Sequence, residues 1–181
     1  MKFLIVSDIH GSLKYAQRAI EIFKEEACDQ IICLGDVLYH GPRNPLPEAY
    51  NPKEVALLLN DYKDKIIGVR GNCDSEVDQM VLDFPMMADH QSLFIDGRRI
   101  FLTHGHLYHR DKMPKLSTGD VFIHGHYHIP MTDVLEGVYY LNPGSITLPK
   151  NNSVNSYAIL EEGCFTIKDL KMDMIQEITF K

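Results

Sequence analysis

Residues 3–10 read Phe3-Leu4-Ile5-Val6-Ser7-Asp8-Ile9-His10, four apolar residues running straight into an acid and an imidazole. Such a short apolar run bounded by polar residues predicts a buried strand. The period then changes: Leu13, Ala16, Ile20, Phe23 and Ala27 recur at helical spacing behind Ser12, which stands where an N-cap belongs. A second apolar run, Ile31 to Leu34, ends in Gly35-Asp36. Beyond Pro42, Pro45 and Pro47 another helix is predicted, with Asn51 as cap, Pro52 at its first position and Glu54 completing a capping-box-like arrangement. Its apolar face is Val55, Leu58, Leu59 and Tyr62, and a third run, Ile66 to Val69, ends in Arg70-Gly71-Asn72. Strand and helix alternating over the first 70 residues predict a parallel sheet.

The rhythm differs after residue 90. Ser92 to Ile95 and Arg98 to Thr103 flank Asp96-Gly97, a strong two-residue hairpin signal, and Glu136-Gly137 and Glu162-Gly163 punctuate later strand pairs. No linker, repeat or low-complexity tract separates the halves. The 181 residues are therefore expected to form a single domain, 1–181, with two packed sheets and helices outside them.

Composition narrows the function classes. Eighteen basic against 25 acidic residues leave a net charge of −7, so the molecule repels polyanions and is not expected to bind long nucleic acid. The longest aliphatic stretch, Val55 to Leu59, is far short of the roughly 20 residues of a membrane span, and no leader pattern opens the chain. A cytoplasmic protein is expected. Cys28, Cys33, Cys73 and Cys164 form no C-x-x-C pair, and all but Cys73 are read as inert packed thiols.

Five apolar runs end in residues that bind metals: Asp8 and His10, Asp36, Asn72, His104, and His126 with His128. Residues just past strand ends gather at one edge of a layered α/β protein, where ligand sites form. Seven candidate ligands exceed the needs of one ion, whereas two ions about 3.5–4 Å apart, sharing one carboxylate, would use them all. Mixed oxygen and imidazole donors without cysteine suit Mn, Fe, Ni or catalytic Zn rather than structural zinc.

The ordered set Asp8-x-His10, Gly35-Asp36, Gly71-Asn72, His104-Gly105 and Gly125-His126-x-His128 resembles the calcineurin-like metallophosphoesterase superfamily. The short length, the Gly41-Pro42-Arg43-Asn44-Pro45 loop and the run Arg70 to Asp78 look like its small, YfcE-type bacterial phosphodiesterases, and Asn142-Pro143-Gly144-Ser145 is similar to another family segment. The resemblance implies a four-layer α-β-β-α sandwich of two mixed β-sheets with outer helices. It also implies two divalent ions, Mn foremost, with Zn, Ni, Fe or Co as alternatives. By matching positions, one ion takes Asp8, His10, Asp36 and His128, and the other takes Asp36, Asn72, His104 and His126, with Asp36 bridging. The implied activity is hydrolysis of a small phosphodiester by a metal-bridging hydroxide, with Asp36, Asn72 and His104 as the catalytic core. The alternatives are a phosphomonoesterase using the same site, or a catalytically silent scaffold like the retromer-subunit relatives.

One position departs from the pattern. Many superfamily members carry Gly-Asn-His where this chain has Gly71-Asn72-Cys73, and a neutral thiol is a weak donor to a leaving oxygen. Arg43, Asn44, Cys73 and His106 are the candidates for substrate contact, and Tyr39, Tyr108 and Tyr127 for an apolar wall beside an aryl or nucleoside group. The sequence leaves a homo-oligomer open.

Overall fold

The computed structural model describes residues 1–181. Its first half runs β1 (Phe3–Val6), α1 (Leu13–Glu25), β2 (Gln30–Cys33), α2 (Pro52–Asn60), β3 (Ile66–Gly68) and α3 (Glu76–Gln79). The second half is β throughout: β4 (His90–Ile95), β5 (Arg98–Thr103), β6 (Val121–Ile123), β7 (Pro130–Leu135), β8 (Val138–Pro143), β9 (Ser156–Glu161), β10 (Cys164–Asp169) and β11 (Met174–Thr179). One sheet has the order β11-β10-β9-β1-β2-β3 and the other β4-β5-β6-β8-β7. Both are mixed. β1, β2 and β3 are parallel as expected, while β9 closes antiparallel on β1; β5, β6 and β8 are parallel, flanked by antiparallel β4 and β7.

All four residues of β1 are buried because the strand has a core on each face. Leu4 and Val6 point to α1 and α2, against Ala16, Ile20, Phe23 and Val55. Phe3 and Ile5 point the other way, into the space between sheets shared with Leu102, Ile123 and Leu141. The period-2 alternation of side chains thus places one strand at the junction of two layers. The outer face of the second sheet, Phe101, Phe122, Val138 and Tyr140, is covered by Tyr108, Met113 and Leu116 from the segment after β5. That layer is thin, with one 3₁₀ turn at Arg110–Lys112 instead of a long helix, because Gly105, Pro114 and Gly119 interrupt it.

Local signals survive with small changes. The Ser12 hydroxyl donates to the Glu48 carbonyl at 2.6 Å and not into its own helix, and α1 ends before Ala27, whose φ is +52°. Asn51 Oδ1 accepts the Glu54 N–H at 3.3 Å, but the return half of the box is absent: the Asn51 N–H donates to the Gly11 carbonyl at 2.8 Å, tying α2 to the loop after β1. Asp96-Gly97, Glu136-Gly137 and Glu162-Gly163 each hold two successive positive φ angles, the hairpin geometry they predict. Cys28 and Cys33 are buried and Cys164 is half-buried, and no two cysteines are bridged. No helix is long and apolar enough to cross a membrane.

Candidate metal centre

The five segments carrying the candidate ligands follow β1, β2, β3, β5 and β6, each parallel to a neighbour in its sheet, so they emerge at one edge of the sandwich. Backbone bonds then lock the loops to one another. The Asp8 N–H donates to Gly35 O at 3.1 Å and the His10 N–H to Asp36 O at 2.8 Å; the Gly125 N–H donates to His104 O at 2.8 Å. The His126 N–H reaches Asp8 Oδ2 at 3.2 Å, joining the two sheets at the site itself.

Three imidazoles are aimed by backbone carbonyls: His10 Nδ1 donates to Tyr39 O at 2.9 Å, His104 Nδ1 to Leu34 O at 2.7 Å and His128 Nδ1 to Leu148 O at 2.5 Å. A carbonyl only accepts, so each Nδ1 carries a proton and each ring turns its Nε2 inward. These nitrogens face carboxylate and amide oxygens. His10 Nε2 and His128 Nε2 are 3.4 Å apart, and Asp8 Oδ1 lies 3.2 Å from His128 Nε2 and 3.7 Å from His10 Nε2. Asp36 Oδ2 stands 3.7 Å from His10 Nε2 and 3.4 Å from His104 Nε2, which also faces Asn72 Oδ1 at 3.1 Å. Asp8 Oδ1 is buried with no hydrogen-bond donor. Converging acceptors with an orphaned buried carboxylate oxygen fit a divalent cation.

Electrostatics agree. Burial disfavours charge on Asp8, yet His128, His104 and His10 outweigh it and hold the carboxyl well below the usual range. Burial opposes charge on His104 as well, but the Asp36 carboxylate and then Asp8 raise it to about 9. The pull that draws a proton to this cluster draws a cation equally.

Strain marks the same residues. Asp8, His10, Asp36, His126 and His128 all adopt positive φ, between 50° and 67°, a conformation costly for non-glycine residues and held only where surroundings over-determine it. Two glycines permit the close approach. A Cβ on Gly71 would overlap Asp36 Oδ1 and its backbone N, and one on Gly125 would overlap Ser7 Oγ.

His126 stands apart from the tight group. The close triads are Asp8-His10-His128, Asp8-Asp36-His104 and His10-Asp36-Cys73, whereas the His126 ring is 5.1 Å from His104, centroid to centroid. Cys73, outside the ligand set in sequence, comes into the third triad. Burial and the Asp36 carboxylate push its thiol up, so it stays protonated beside the donors.

Several residues of the site had no role assigned to them from the sequence. Asp74 is buried, and its carboxylate accepts the N–H groups of Asp36 (2.8 Å), Val37 (2.8 Å) and Gly71 (2.7 Å), fastening the loop after β2 to the loop after β3. Burial and the neighbouring Asp36 push Asp74 up to about 6 against those three donors. Asn142 Nδ2 donates to Gly125 O at 2.8 Å, Ser145 Oγ to Asp8 O at 3.1 Å and Thr147 Oγ1 to Ile9 O at 2.9 Å. The segment similar to the family's Asn-Pro-Gly-Ser therefore buttresses two ligand loops.

A cleft of about 360 Å³ opens over the donors, lined by Arg43, Asn44, Asn72, Cys73, His126 and Lys150 among others. Arg43 is exposed and makes no ion pair, and Asn44 Nδ2 is held by His40 O at 2.8 Å. Lys150 is a cation that sequence reading passed over. His106 packs its ring 5.4 Å from His104 and is not among the cleft residues. Of the three tyrosines, Tyr127 lines this cleft and Tyr39 an adjoining groove. Tyr108 does neither: it lies edge-on to Phe101 at 5.4 Å, drawn into the apolar cover of the second sheet.

A two-sheet sandwich with Asp, Asn and His donors gathered at one edge defines a metallophosphoesterase architecture, and the chain belongs to the calcineurin-like phosphoesterase superfamily, whose domain matches residues 1–163. It is similar to the phosphodiesterase YfcE of Escherichia coli K12, at 45% identity over 92% of this chain and 91% of that protein. The solved structure of the E. coli YfcE phosphoesterase covers all of both chains with a TM-score of 0.98 and 42% identity. Vps29 of Entamoeba histolytica, solved with Zn²⁺, shares the fold at 20% identity over both full chains, with a TM-score of 0.63.

Proposed function

We propose that this protein is a divalent-metal-dependent phosphodiesterase acting on small phosphodiesters. The observation that carries the reading is the convergence of Asp8 Oδ1, Asp36 Oδ2 and the Nε2 atoms of His10, His104 and His128 in one buried cluster. Similarity to E. coli YfcE, a named phosphodiesterase, supports it. Asp8, His10, Asp36 and His128 would hold one ion and Asp36, Asn72, His104 and His126 the second, with Mn the expected metal and Zn, Ni, Fe or Co the alternatives.

Bound divalent ions supply positive charge that polarises phosphoryl oxygens and renders water acidic enough to act as nucleophile near neutral pH. The chain's own residues do the rest. The Cys73 N–H holds Asp36 Oδ1 at 2.8 Å, which leaves Oδ2 turned between His10 and His104. Arg43, Asn44 and Lys150 border the cleft and bind the anionic substrate there, locally reversing a net charge of −7. The protonated Cys73 thiol gives the departing oxygen little help.

The test is chelated protein given Mn, Zn, Ni, Co, Fe or Mg singly and assayed on matched panels of phosphodiesters and phosphomonoesters. Diester turnover that appears only with metal is expected. Equal turnover of monoesters makes the protein a monoesterase, and no turnover with any metal returns it to the scaffold class.

A further inference from the structure

A second cavity, of about 760 Å³, lies between α2 and α3 and is walled by Tyr39, Tyr50, Leu57, Cys73, Val77 and Val81 among others. Its only charged lining residues are Lys53 and Asp78, and the Asp78 carboxylate is engaged by the Ser75 N–H at 2.7 Å and the Ser75 hydroxyl at 3.1 Å. Leu57, Val77 and Val81 are 54%, 67% and 49% exposed, three large apolar side chains turned to water within one concavity. Apolar residues scattered singly over a surface need no explanation, but a contiguous patch does.

The groove is continuous with the phosphoester cleft. Cys73 walls both, and its Sγ lies within 4.8 Å of donor atoms of His10 and Asp36. Tyr39 lines the groove while its carbonyl holds His10 Nδ1 at 2.9 Å. A group attached to phosphorus over the donors has a direct route past Cys73 into an apolar space whose volume falls within the usual range of small-molecule sites. We propose that this groove receives one ester arm of the substrate, so that the substrate is a phosphodiester bearing a neutral aromatic or comparably apolar group. The proposal rests on the phosphodiesterase reading above. A second phosphate or a continuing nucleic-acid strand finds only Lys53 there, so polyphosphate arms are excluded on charge.

The test uses two unactivated diesters, diphenyl phosphate and dimethyl phosphate, as competitive inhibitors of wild-type protein hydrolysing bis(4-nitrophenyl) phosphate. Burial of one ring predicts inhibition by the diphenyl ester roughly tenfold or more tighter, after the cost of ordering it. Leu57→Asp and Val81→Asp, both at exposed positions, reduce that preference to about threefold or less and leave the dimethyl constant unchanged. In parallel, methyl resonances of Leu57, Val77 and Val81 in Zn-loaded protein shift with diphenyl but not dimethyl phosphate. Equal inhibition by the two esters, or methyl groups indifferent to both, overturns the proposal while leaving the diesterase reading intact. Methyl shifts without turnover of any diester by any metal form sink the diesterase reading and keep the apolar-ligand assignment of the groove. Shifts that follow protein concentration, with a dimer mass in sedimentation that Leu57→Asp abolishes, assign the groove to a second copy of the chain and also overturn the proposal.

Discussion

Asp74→Asn tests whether one buried carboxylate holds the metal loops together. Asp74 Oδ2 accepts two backbone N–H groups, from Asp36 and Gly71, and Oδ1 accepts a third, from Val37. An asparagine has one oxygen. Placed on the Oδ2 side it keeps two bonds, now neutral, and turns its NH₂ against the Val37 N–H; placed on the other side it loses two. The first arrangement costs least. It forfeits one charge-assisted bond and leaves two buried donors, the Val37 N–H and the new NH₂, facing each other, for about 2–3 kcal/mol in all. At a urea m-value of about 2 kcal/mol/M the unfolding midpoint falls by about 1 M. Metal affinity drops with it, by roughly 10–100-fold, because Asp36 and Gly71 are freed from a common anchor. Urea unfolding of the chelated protein and calorimetric Mn titration measure the two effects separately, with Glu48→Gln in the exposed Lys14–Glu48 pair as a control. An Asp74→Asn protein with the wild-type midpoint and wild-type Mn affinity refutes the anchoring argument.

Two further expectations concern the site and one an ion-pair cluster away from it. Asp36→Ala removes the oxygen set between His10 and His104, so bound metal falls by about half or more and turnover is nearly abolished, while Arg43→Ala chiefly raises KM; diesterase activity near wild type in Asp36→Ala rules out a bridging role. With Cys73 a protonated thiol, rates depend steeply on leaving-group pKa, and Cys73→His flattens the slope by speeding poor leaving groups by ~10²; an unchanged slope in a variant with full metal content rules out that position as the donor. Glu26 is raised by burial, but hydrogen bonds from Lys168 at 2.6 Å and Lys2 at 3.1 Å outweigh this and hold it below its ordinary value. Its stabilising contribution is therefore complete above the unfolded glutamate pKa of about 4.3 and lost as pH falls through the lower folded value. Wild type should lead Glu26→Gln in urea midpoint at pH 7 and converge on it under acid; a gap independent of pH defeats that assignment.

Much of the fold was legible because its determinants are local. The run Phe3–Val6, the 3.6-residue period from Leu13 and the three X-Gly hairpin turns each act within a few residues, and each formed its expected element. α3 escaped notice because four residues carry no period; the Ser75-x-x-Asp78 pattern was the available signal, and Asp78 does bond back to Ser75. β11 passed unseen on an exposed edge where only one face is pressed against anything.

By itself, the sequence determined which chemistry was present: seven oxygen and imidazole donors, each just past an apolar run, in an order that resembles one superfamily. Only the tertiary structure decided how those donors are used. Contacts between segments as distant as His10 and His128, 118 residues apart, depend on how the two sheets pack and not on neighbouring residues. The inward turn of each Nε2 is set by carbonyls of Tyr39, Leu34 and Leu148, and a backbone carbonyl has no residue identity to read. Asp74 looked like any acid in a loop until three N–H groups from two different loops closed around it. Tyr39 and Tyr108 were equal candidates in the chain. Packing sent one to the groove beside the metal donors and the other beneath the second sheet, since burial of a ring is decided by which apolar surface lies within reach.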